Sequence, residues 1–421
     1  MTVPRAHRLQ AIAVPLGAVL LVAALVVARR PDAFTRPQFW AEDGTFWFAA
    51  AYNDGPLVGL QTPAGGYYQS FARLTAAASL YFGLREAPLL FNVAAVLAQI
   101  LAPLYLLSSR FARTIPDVRL RLLAALLVVG APNTFEVQSN VTNAQTHLAL
   151  LGFLIVVADA PQRAWWTVLD VCGLVLTGLS GPTCVFLVIV ALLVWWREGS
   201  ARHVVQLVTV AAVAVVQGLA IVSTGPATRI ATPLGASLRR LLTLLGGQIF
   251  FAGMLGQATY ERFFGGGGEA SWLLPCLGLV GLLVVARASV LTSSWPLRML
   301  ILFAGLVLAA ALLSPVVGAA PRWRTLELPG VGGRYYVLPI LAWLAVLLWG
   351  ACADPRPGAR WLARLALAAV LLIGLPRDWR VAPREDFHFP DQVARFASAP
   401  PGTLVRIPIP PAGWHMALRK R

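Results

Sequence analysis

Two adjacent carboxylates, Glu42 and Asp43, follow Trp40 just beyond the first hydrophobic segment of the chain. A positioned carboxylate can take a proton from a hydroxyl group as a general base, and two together can hold a divalent cation such as Mg or Mn. Ionisable groups at a membrane boundary are functional candidates by default. We predict that Asp43 is the base, because Gly44 beside it lets a substrate approach the backbone closely. Glu42 would tune Asp43 or share a metal with it; the alternative is a plain loop in which Asp43 caps the next helix.

An arginine–tyrosine pair, Arg334 and Tyr335, opens a later hydrophobic run after two glycines. The guanidinium group donates paired hydrogen bonds and keeps its charge at any working pH, which suits it to binding a phosphate. Arg73 enters another mostly apolar segment and is the second candidate for phosphate binding. The alternative is that Arg334 and Tyr335 are interfacial anchors, which are common at the ends of membrane helices.

Five polar residues recur at spacings of three and four: Asn133, Glu136, Asn140, Asn143 and His147. If this stretch is helical, they form one polar stripe. Lipid would penalise such a stripe, so it would face a hydrated cavity, with Asn143 and His147 as substrate-binding candidates. The alternative is a polar loop that leads into a helix.

The composition predicts the fold class. Hydrophobic residues make up 58% of the 421 residues and charged residues 12%, which is more apolar surface than a soluble core can use. The chain is therefore predicted to be an all-α polytopic integral membrane protein in contact with the lipid bilayer. The net charge of +16 comes from arginines, mostly in loops between apolar runs. Positive-inside topology explains these arginines, and nucleic acid is not expected as a partner.

The apolar runs predict about 11 membrane-spanning helices, with about 13 as the alternative. The preferred count requires that 67–84 and 237–262 lie along the interface or re-enter instead of spanning. Arginine-rich loops then share one side with the N-terminus, which is predicted to be cytoplasmic. The unusual polar clusters fall on the other, extracytoplasmic face. The predicted spans are 9–28, 88–107, 118–132, 146–158, 164–179, 182–196, 203–222, 272–288, 298–315, 335–352 and 359–375.

Two regions follow from this topology. Residues 1–375 form the transmembrane region, whose first outer loop, 29–87, is predicted to contain interfacial helices. Residues 376–421 form a short extracytoplasmic tail. Within this tail, Asp391–Ala397 is predicted to be a short amphipathic helix, and the alternation in Leu404–Ile409 predicts a strand.

The whole pattern resembles the membrane glycosyltransferases of the GT-C fold, especially uncharacterised bacterial members. The resemblance covers the architecture of most of the chain, and it departs from the family in having no large outer domain and no second acidic motif as clear as the first. It implies transfer of a sugar from a polyprenyl-phosphate donor to a cell-envelope glycan, lipid or protein acceptor, at the extracytoplasmic face of a bacterial inner membrane. The motifs that carry it are Trp40-Ala41-Glu42-Asp43-Gly44, Gly66-Tyr67, Arg73, Gly333-Arg334-Tyr335-Tyr336 and Ile407-Pro408-Ile409 to Trp414.

The residues fit this chemistry. Either carboxylate of the acidic pair can deprotonate an acceptor hydroxyl, and Arg334 with Arg73 can stabilise the departing phosphate. Tyr335 together with Tyr67 or Tyr68 would line the sugar site. The main alternative is a transporter or flippase of a lipid-linked saccharide, which also needs arginines and a polar cavity. A transporter is expected to carry charges deep within several helices and often shows repeated halves.

Overall fold

The computed structural model describes residues 5–161, 163–224, 233–265, 272–318 and 320–421, with side chains described from residue 16 onward. Its described residues are overwhelmingly helical, and the one two-stranded sheet among them lies near the C-terminus. The helices that run the length of the bundle are Arg5–Arg29, Gly83–Leu107, Val118–Gly130, Ala144–Val157, Ala164–Leu179, Cys184–Glu198, Ala201–Thr224, Leu273–Leu291, Trp295–Leu313, Gly333–Ala353 and Pro357–Ala369, the last continuing through Val370–Gly374 and Leu375–Asp378.

Several of these helices are suited to a membrane. Within the described ranges, 7 helices are long and apolar enough to cross one by length and composition. Three shorter apolar helices, Leu16–Arg29, Ala144–Val157 and Ala164–Leu179, extend the same bundle. Apolar side chains on many of these helices are exposed, as expected for surfaces that lie against lipid. The predicted fold class, an all-α polytopic membrane protein, is confirmed.

The bundle has two distinct ends. One end carries the acidic pair Glu42–Asp43, and we call it the site end. There, Arg29 donates to the carbonyl oxygens of Val129 (2.5 Å) and Asp378 (3.2 Å), which brings the ends of three helices together. At the opposite end, Arg110 pairs with Asp170 at 2.8 Å. Because consecutive long helices join these two ends, each chain segment can be assigned to one end.

Leu238–Leu255 begins and ends at the same end of the bundle, although by length and composition it is one of the 7 helices that could cross a membrane. Near its start, Arg240 Nε lies 3.6 Å from Glu327 Oε1. Just beyond its end, Tyr260 donates its hydroxyl hydrogen to the carbonyl oxygen of Glu327 at 2.9 Å. At the end of the helix, the backbone N–H of Gln257 donates to Asp378 Oδ2 at 2.7 Å, so residues of the site end hold both ends of the helix. That 237–262 does not span stays a prediction.

The segment predicted at 67–84 also stays at the site end. It forms the helix Ser70–Ser79 and a short 3-10 turn, Leu80–Phe82. The backbone N–H of Phe71 donates to Ser180 Oγ (3.1 Å), which follows a long helix at the site end. Gly83, with φ +82°, then turns the chain into the helix Gly83–Leu107. The chain thus runs the bundle in the order that the preferred topology requires.

The first loop and the C-terminal tail pack together at the site end. The loop forms the π-helix Asp43–Phe48 and the helices Asp32–Thr35, Ala49–Asp54 and Pro56–Gln61. The tail forms the helix Phe389–Ser398 and an antiparallel hairpin of Leu404–Ile409 with Trp414–Arg419. The tail helix and the first strand lie where the sequence predicts them. The second strand was not predicted, because prolines and a glycine between residues 410 and 413 interrupt the alternating pattern before it.

One hydrophobic cluster joins these two parts of the chain. Phe39 and Phe48 of the first loop pack with Phe389 and Ile409 of the tail, and all four are at most 1% exposed. Phe39 lies edge-on to Phe389, with ring centroids 5.7 Å apart. Because burial of aromatic side chains dominates such contacts, the tail is an integral part of the site end and not a separate unit.

Candidate functional site

The acidic pair is held between the π-helix and the C-terminal hairpin. The backbone N–H of Ala41 donates to the carbonyl oxygen of Pro410 at 2.6 Å. A Cβ atom on Gly44 would lie 2.7 Å from Ile409 Cδ1 and 3.0 Å from Phe39 Cβ. Gly44 therefore allows close packing of the hairpin on the helix, whereas the sequence alone suggested close approach of a substrate at this residue.

The carboxylate of Asp43 is turned into the protein. Its oxygens accept hydrogen bonds from the backbone N–H of Val141 (3.1 Å) and from the N–H and hydroxyl of Thr142 (both 2.8 Å). Asp43 is only 1% exposed. Burial raises the pKa of Asp43 to about 6, although these hydrogen bonds and the charge of Arg384 act in the opposite direction. Asp43 thus ties the first loop to the loop that contains Val141 and Thr142.

The carboxylate of Glu42 has a different environment. It is partly exposed, and it makes no side-chain hydrogen bond or ion pair to another described residue. Burial raises the pKa of Glu42; the charge of Arg334 lowers it and that of Glu136 raises it. Glu42 is therefore the member of the acidic pair on whose carboxylate the charges of Arg334 and Glu136 act.

Arg334 and Glu136 form the charged centre beside Glu42. The guanidinium group pairs with the Glu136 carboxylate, and the backbone N–H of Arg334 donates to Glu136 Oε2 at 3.0 Å. The same guanidinium group donates to the hydroxyl of Tyr335 at 3.2 Å and lies 4.8 Å from the centroid of its ring. The side chain of Arg334 is still 31% exposed, so it is accessible to a ligand. Sequence reasoning placed Glu136 only in a polar stripe and missed it as the second acidic group.

Tyr67 joins the same cluster. Its side chain is half-buried. Burial raises the pKa of Tyr67, while the charge of Arg334 lowers it and that of Glu42 raises it. Tyr68, in contrast, uses its backbone to bond the side chain of Gln217 at 2.8 and 3.0 Å. Of the two predicted tyrosines, Tyr67 is the one that contributes a side chain here.

Arg73 lies apart from this cluster. Its guanidinium group is stacked 4.9 Å from the centroid of the Trp47 ring, and the residue is 8% exposed. The Trp47 indole donates to Thr142 Oγ1 at 2.9 Å, and that hydroxyl in turn donates to Asp43. Arg73 is therefore connected to the acidic pair through two intervening side chains.

The predicted polar stripe is not a single helical face. Positive φ values at Asn133 (56°) and Ser139 (52°) break the segment, and a regular helix begins only at Ala144. Asn143 donates its side-chain amide hydrogen to the carbonyl oxygen of Glu136 at 3.1 Å. His147 Nε2 lies 3.1 Å from the carbonyl oxygen of Val137. The alternative, a polar loop leading into a helix, describes this segment, and Asn143 and His147 order the loop that presents Glu136.

The acidic pair does not fit a shared metal site. The oxygens of Asp43 already accept three hydrogen bonds from Val141 and Thr142, whereas the Glu42 carboxylate is partly exposed and shares none of these partners. Among the residues with described side chains, no three histidine, cysteine or acidic side chains converge as a metal-binding group. The guanidinium group of Arg334, which pairs with Glu136, is the cation whose charge acts on Glu42.

Buried arginines, which the sequence alone suggested to be loop charges, hold the site in place. Arg384 donates to the carbonyl oxygens of Gln38 (3.0 Å) and Ser139 (2.5 Å) and to Asn92 Oδ1 (3.2 Å). Burial is the main cause that lowers the pKa of Arg384, to about 9, and the charge of Arg30 lowers it further. Arg384 thus clamps the first loop, a bundle helix and the 131–143 loop around Asp43.

The fold and the site together define a multi-pass membrane protein with a charged, partly exposed site at one end of an apolar bundle. Among solved structures, the chain is similar to the crystal structure of the Archaeoglobus fulgidus oligosaccharyltransferase in complex with Zn and sulfate. The TM-score is 0.44 and the identity 14%, over 91% of this chain and 56% of that chain. No protein-family model and no curated protein sequence matches the chain.

Proposed function

We propose that this protein is a membrane glycosyltransferase of the GT-C type. It would move a sugar from a polyprenyl-phosphate donor to a cell-envelope glycan, lipid or protein acceptor. The observation that carries the proposal is the environment of Glu42, a partly exposed carboxylate that pairs with no described residue and on which the charge of Arg334 acts. A base beside a phosphate-binding cation is the arrangement that transfer from a lipid phosphate requires.

The transfer step assigns one role to each group. Glu42 accepts the proton of the acceptor hydroxyl, whose oxygen forms a bond to the anomeric carbon of the sugar. The bond between that carbon and the phosphate oxygen breaks, and its electron pair stays on the phosphate. Arg334 stabilises this negative charge, while Tyr67 and Tyr335 line the sugar site. Asp43, first expected to be the base, instead positions the loop on which Glu42 stands.

We propose further that the site end is extracytoplasmic and that the N-terminus is cytoplasmic, in a bacterial inner membrane. Support comes from the arginines at the opposite end, among them Arg113, Arg163 and Arg356, which lie in short connections between long helices. The buried arginines of the site end donate hydrogen bonds to backbone carbonyl groups, as Arg29 does. They therefore serve as structural clamps and do not count as free surface charge.

A transporter is the weaker proposal for this chain. The central helices Ala144–Val157 and Gly333–Ala353 carry only apolar residues from Leu148 and from Val337 onward. Many of these side chains are buried in the main hydrophobic cluster. A translocation path would need polar groups between the two ends of the bundle. The polar groups around Glu42 lie at one end.

The direct test is a transfer assay in detergent, where transport across a membrane cannot occur. Purified protein is incubated with a panel of polyprenyl-phosphate sugars and acceptors from the cell envelope, and the glycosylated product is identified by mass spectrometry. We expect at least one donor to be consumed with stoichiometric release of polyprenyl phosphate. Vesicles that move a lipid-linked saccharide, from a protein that forms no product in detergent, would establish the transporter instead.

A further inference from the structure

An open groove separates the first-loop helices from the C-terminal hairpin. It consists of two adjoining cavities, with volumes of about 320 and 370 Å³, that share Thr45 and His415. We refer to it as the hairpin groove. The remaining residues that line it are Phe46, Ala49, Ala50, Asn53, Asp54, Ala64, Arg73, Ala412, Gly413, Trp414 and Ala417.

The walls of the hairpin groove are fixed by hydrogen bonds. Thr45 donates its hydroxyl hydrogen to the carbonyl oxygen of His415 at 2.8 Å. Asn53 donates to the carbonyl oxygen of Ala417 and accepts from the backbone N–H of Arg419, both at 2.9 Å. Because both walls are tied to each other at several points, the groove is formed before a ligand arrives.

Arg73 lies at the wall of the groove as a buried cation. Its Nε and Nη1 atoms are buried, and neither has a hydrogen-bond partner among the described residues. The residue is 8% exposed and forms no ion pair with Asp54, the acidic group that acts on its charge. A buried charge without a hydrogen-bond partner is unfavourable, so an anionic group that enters the groove gains a strong hydrogen-bond donor.

The other lining residues suit a saccharide. Phe46 is 50% exposed, and its ring centroid is 6.4 Å from that of Trp414 in an edge-on arrangement. Exposed aromatic rings offer flat apolar area to the C–H face of a sugar ring at low entropic cost. The side chains of Asp54 and His415 are exposed at the groove and provide acceptors and donors for hydroxyl groups.

We propose that the hairpin groove binds the acceptor, and that this acceptor is an anionic saccharide whose carboxylate or phosphate group pairs with Arg73. This inference rests on the proposed glycosyltransferase function. Glu42 immediately precedes the π-helix whose Thr45 lines the groove, so the groove is formed by the element that follows the base. The contacts that link Arg73 through Trp47 and Thr142 to Asp43 fix the position of the hairpin groove relative to the acidic pair.

The test measures binding of defined saccharides to the purified full chain by calorimetry, without turnover. The probes are a glucuronic acid oligosaccharide, its neutral methyl ester, and an oligosaccharide whose only charged group is one phosphate. Inorganic phosphate and a polyprenyl phosphate serve as saccharide-free anions. We expect at least one anionic saccharide to bind about tenfold or more tightly than the neutral ester, which reflects a charge-assisted hydrogen bond.

The variants assign this preference to Arg73. Arg73→Gln should weaken binding of the anionic saccharide about 10- to 100-fold and leave binding of the neutral ester unchanged. Arg73→Lys should restore part of the loss. The matched control, Arg406→Gln, removes an exposed arginine of the hairpin and should bind as the parent does. Because Arg73→Gln also removes the contact of the guanidinium group with the Trp47 ring, binding is compared only in protein whose melting curve shows a folded state, and Arg73→Lys, which keeps a cation beside this ring, is the second variant.

Each outcome of the binding experiment either supports or overturns the proposed acceptor site. Arg73-dependent binding of the uronate alone, or of the phosphorylated saccharide alone, supports the inference and identifies the anionic group. Equal binding of acid and ester, or parental binding by Arg73→Gln, overturns it. Arg73-dependent binding of phosphate or polyprenyl phosphate, with no saccharide bound, also overturns it and assigns the groove to the donor. Since Glu42→Gln should bind the anionic saccharide normally while failing to transfer sugar, loss of the proposed function is separable from loss of this site.

Discussion

Glu42 and Asp43 are neighbours in the chain, but their carboxyl groups have different environments. Three hydrogen bonds from Val141 and Thr142 hold Asp43 inside the protein, whereas Glu42 is partly exposed and experiences the charge of Arg334. The sequence predicts that one of the two is a base, because both are carboxylates at a membrane boundary. Which one faces the site depends on the backbone direction at the start of the π-helix, and that direction is set by contacts with distant residues.

The buried carboxyl group of Asp43 predicts a particular dependence of stability on pH. Its pKa is about 6 in the folded protein against an ordinary value of 3.8, so between these values the folded state holds a proton that the unfolded chain releases. This contribution to stability is complete below about pH 4 and is lost as the pH rises through about 6. Its size is roughly 2–3 kcal/mol.

Asp43→Asn removes this titration, and melting temperatures in detergent between pH 4 and 8 measure the effect. We expect the melting temperature of the parent, relative to the variant, to fall as the pH rises through about 6. The control Glu385→Gln removes an exposed carboxylate of the tail and should follow the parent. Parallel curves for the parent and Asp43→Asn would show that the Asp43 carboxyl does not hold an extra proton in the fold.

At the scale of elements, the site depends on how the π-helix Asp43–Phe48 packs against the C-terminal hairpin. The side chains of Thr45 and Asn53 donate to backbone carbonyl oxygens of the hairpin, 370 and 364 residues away in the sequence, and a shared hydrophobic cluster packs the two segments together. Periodicity predicted the tail helix and the first strand of the hairpin, because those signals are local. It did not predict the contact between the loop and the tail, which arises only when both meet at one end of the bundle.

Gly44→Ala tests this packing. The added Cβ would lie 2.7 Å from Ile409 Cδ1, so the helix and hairpin would have to separate. We expect a loss of stability of about 1–3 kcal/mol, measured as the melting temperature. Gly218→Ala is the matched control, since a Cβ on Gly218 has no atom within 4 Å and should be tolerated.

A second substitution locates the strain. Ile409→Val removes the Cδ1 atom that the new Cβ would meet, so the double variant should recover much of the loss caused by Gly44→Ala. If the effects of the two substitutions simply add, the contact between Gly44 and Ile409 does not determine the packing of the hairpin.

At the scale of the whole molecule, composition and the spacing of apolar runs predict a multi-pass helical bundle and the order of its helices. They also indicate that 67–84 and 237–262 stay at one end, an interpretation that rested on where arginines fall. Contacts at both ends of Leu238–Leu255 place that segment at the site end. The role of Arg384 could not be predicted, because its hydrogen-bond partners are backbone carbonyl groups that the fold brings to it.

The proposed orientation is testable by labelling single cysteines in intact cells, in a background without the four native cysteines. Asp54→Cys, Leu328→Cys and Thr403→Cys lie at the site end and are exposed. We expect all three to react with a membrane-impermeant reagent. Gly358→Cys at the opposite end is the control and should react only after lysis. The reverse pattern would place the site in the cytoplasm.

The central claim, that Glu42 is the base of a sugar transfer, is tested most directly by the turnover of Glu42→Gln with its best donor. This substitution keeps the size of the side chain and removes its basicity. We predict that turnover falls about 10²-fold or more while the affinity for the donor changes little. Parental turnover by Glu42→Gln, in protein that is folded and binds the donor, would contradict the account.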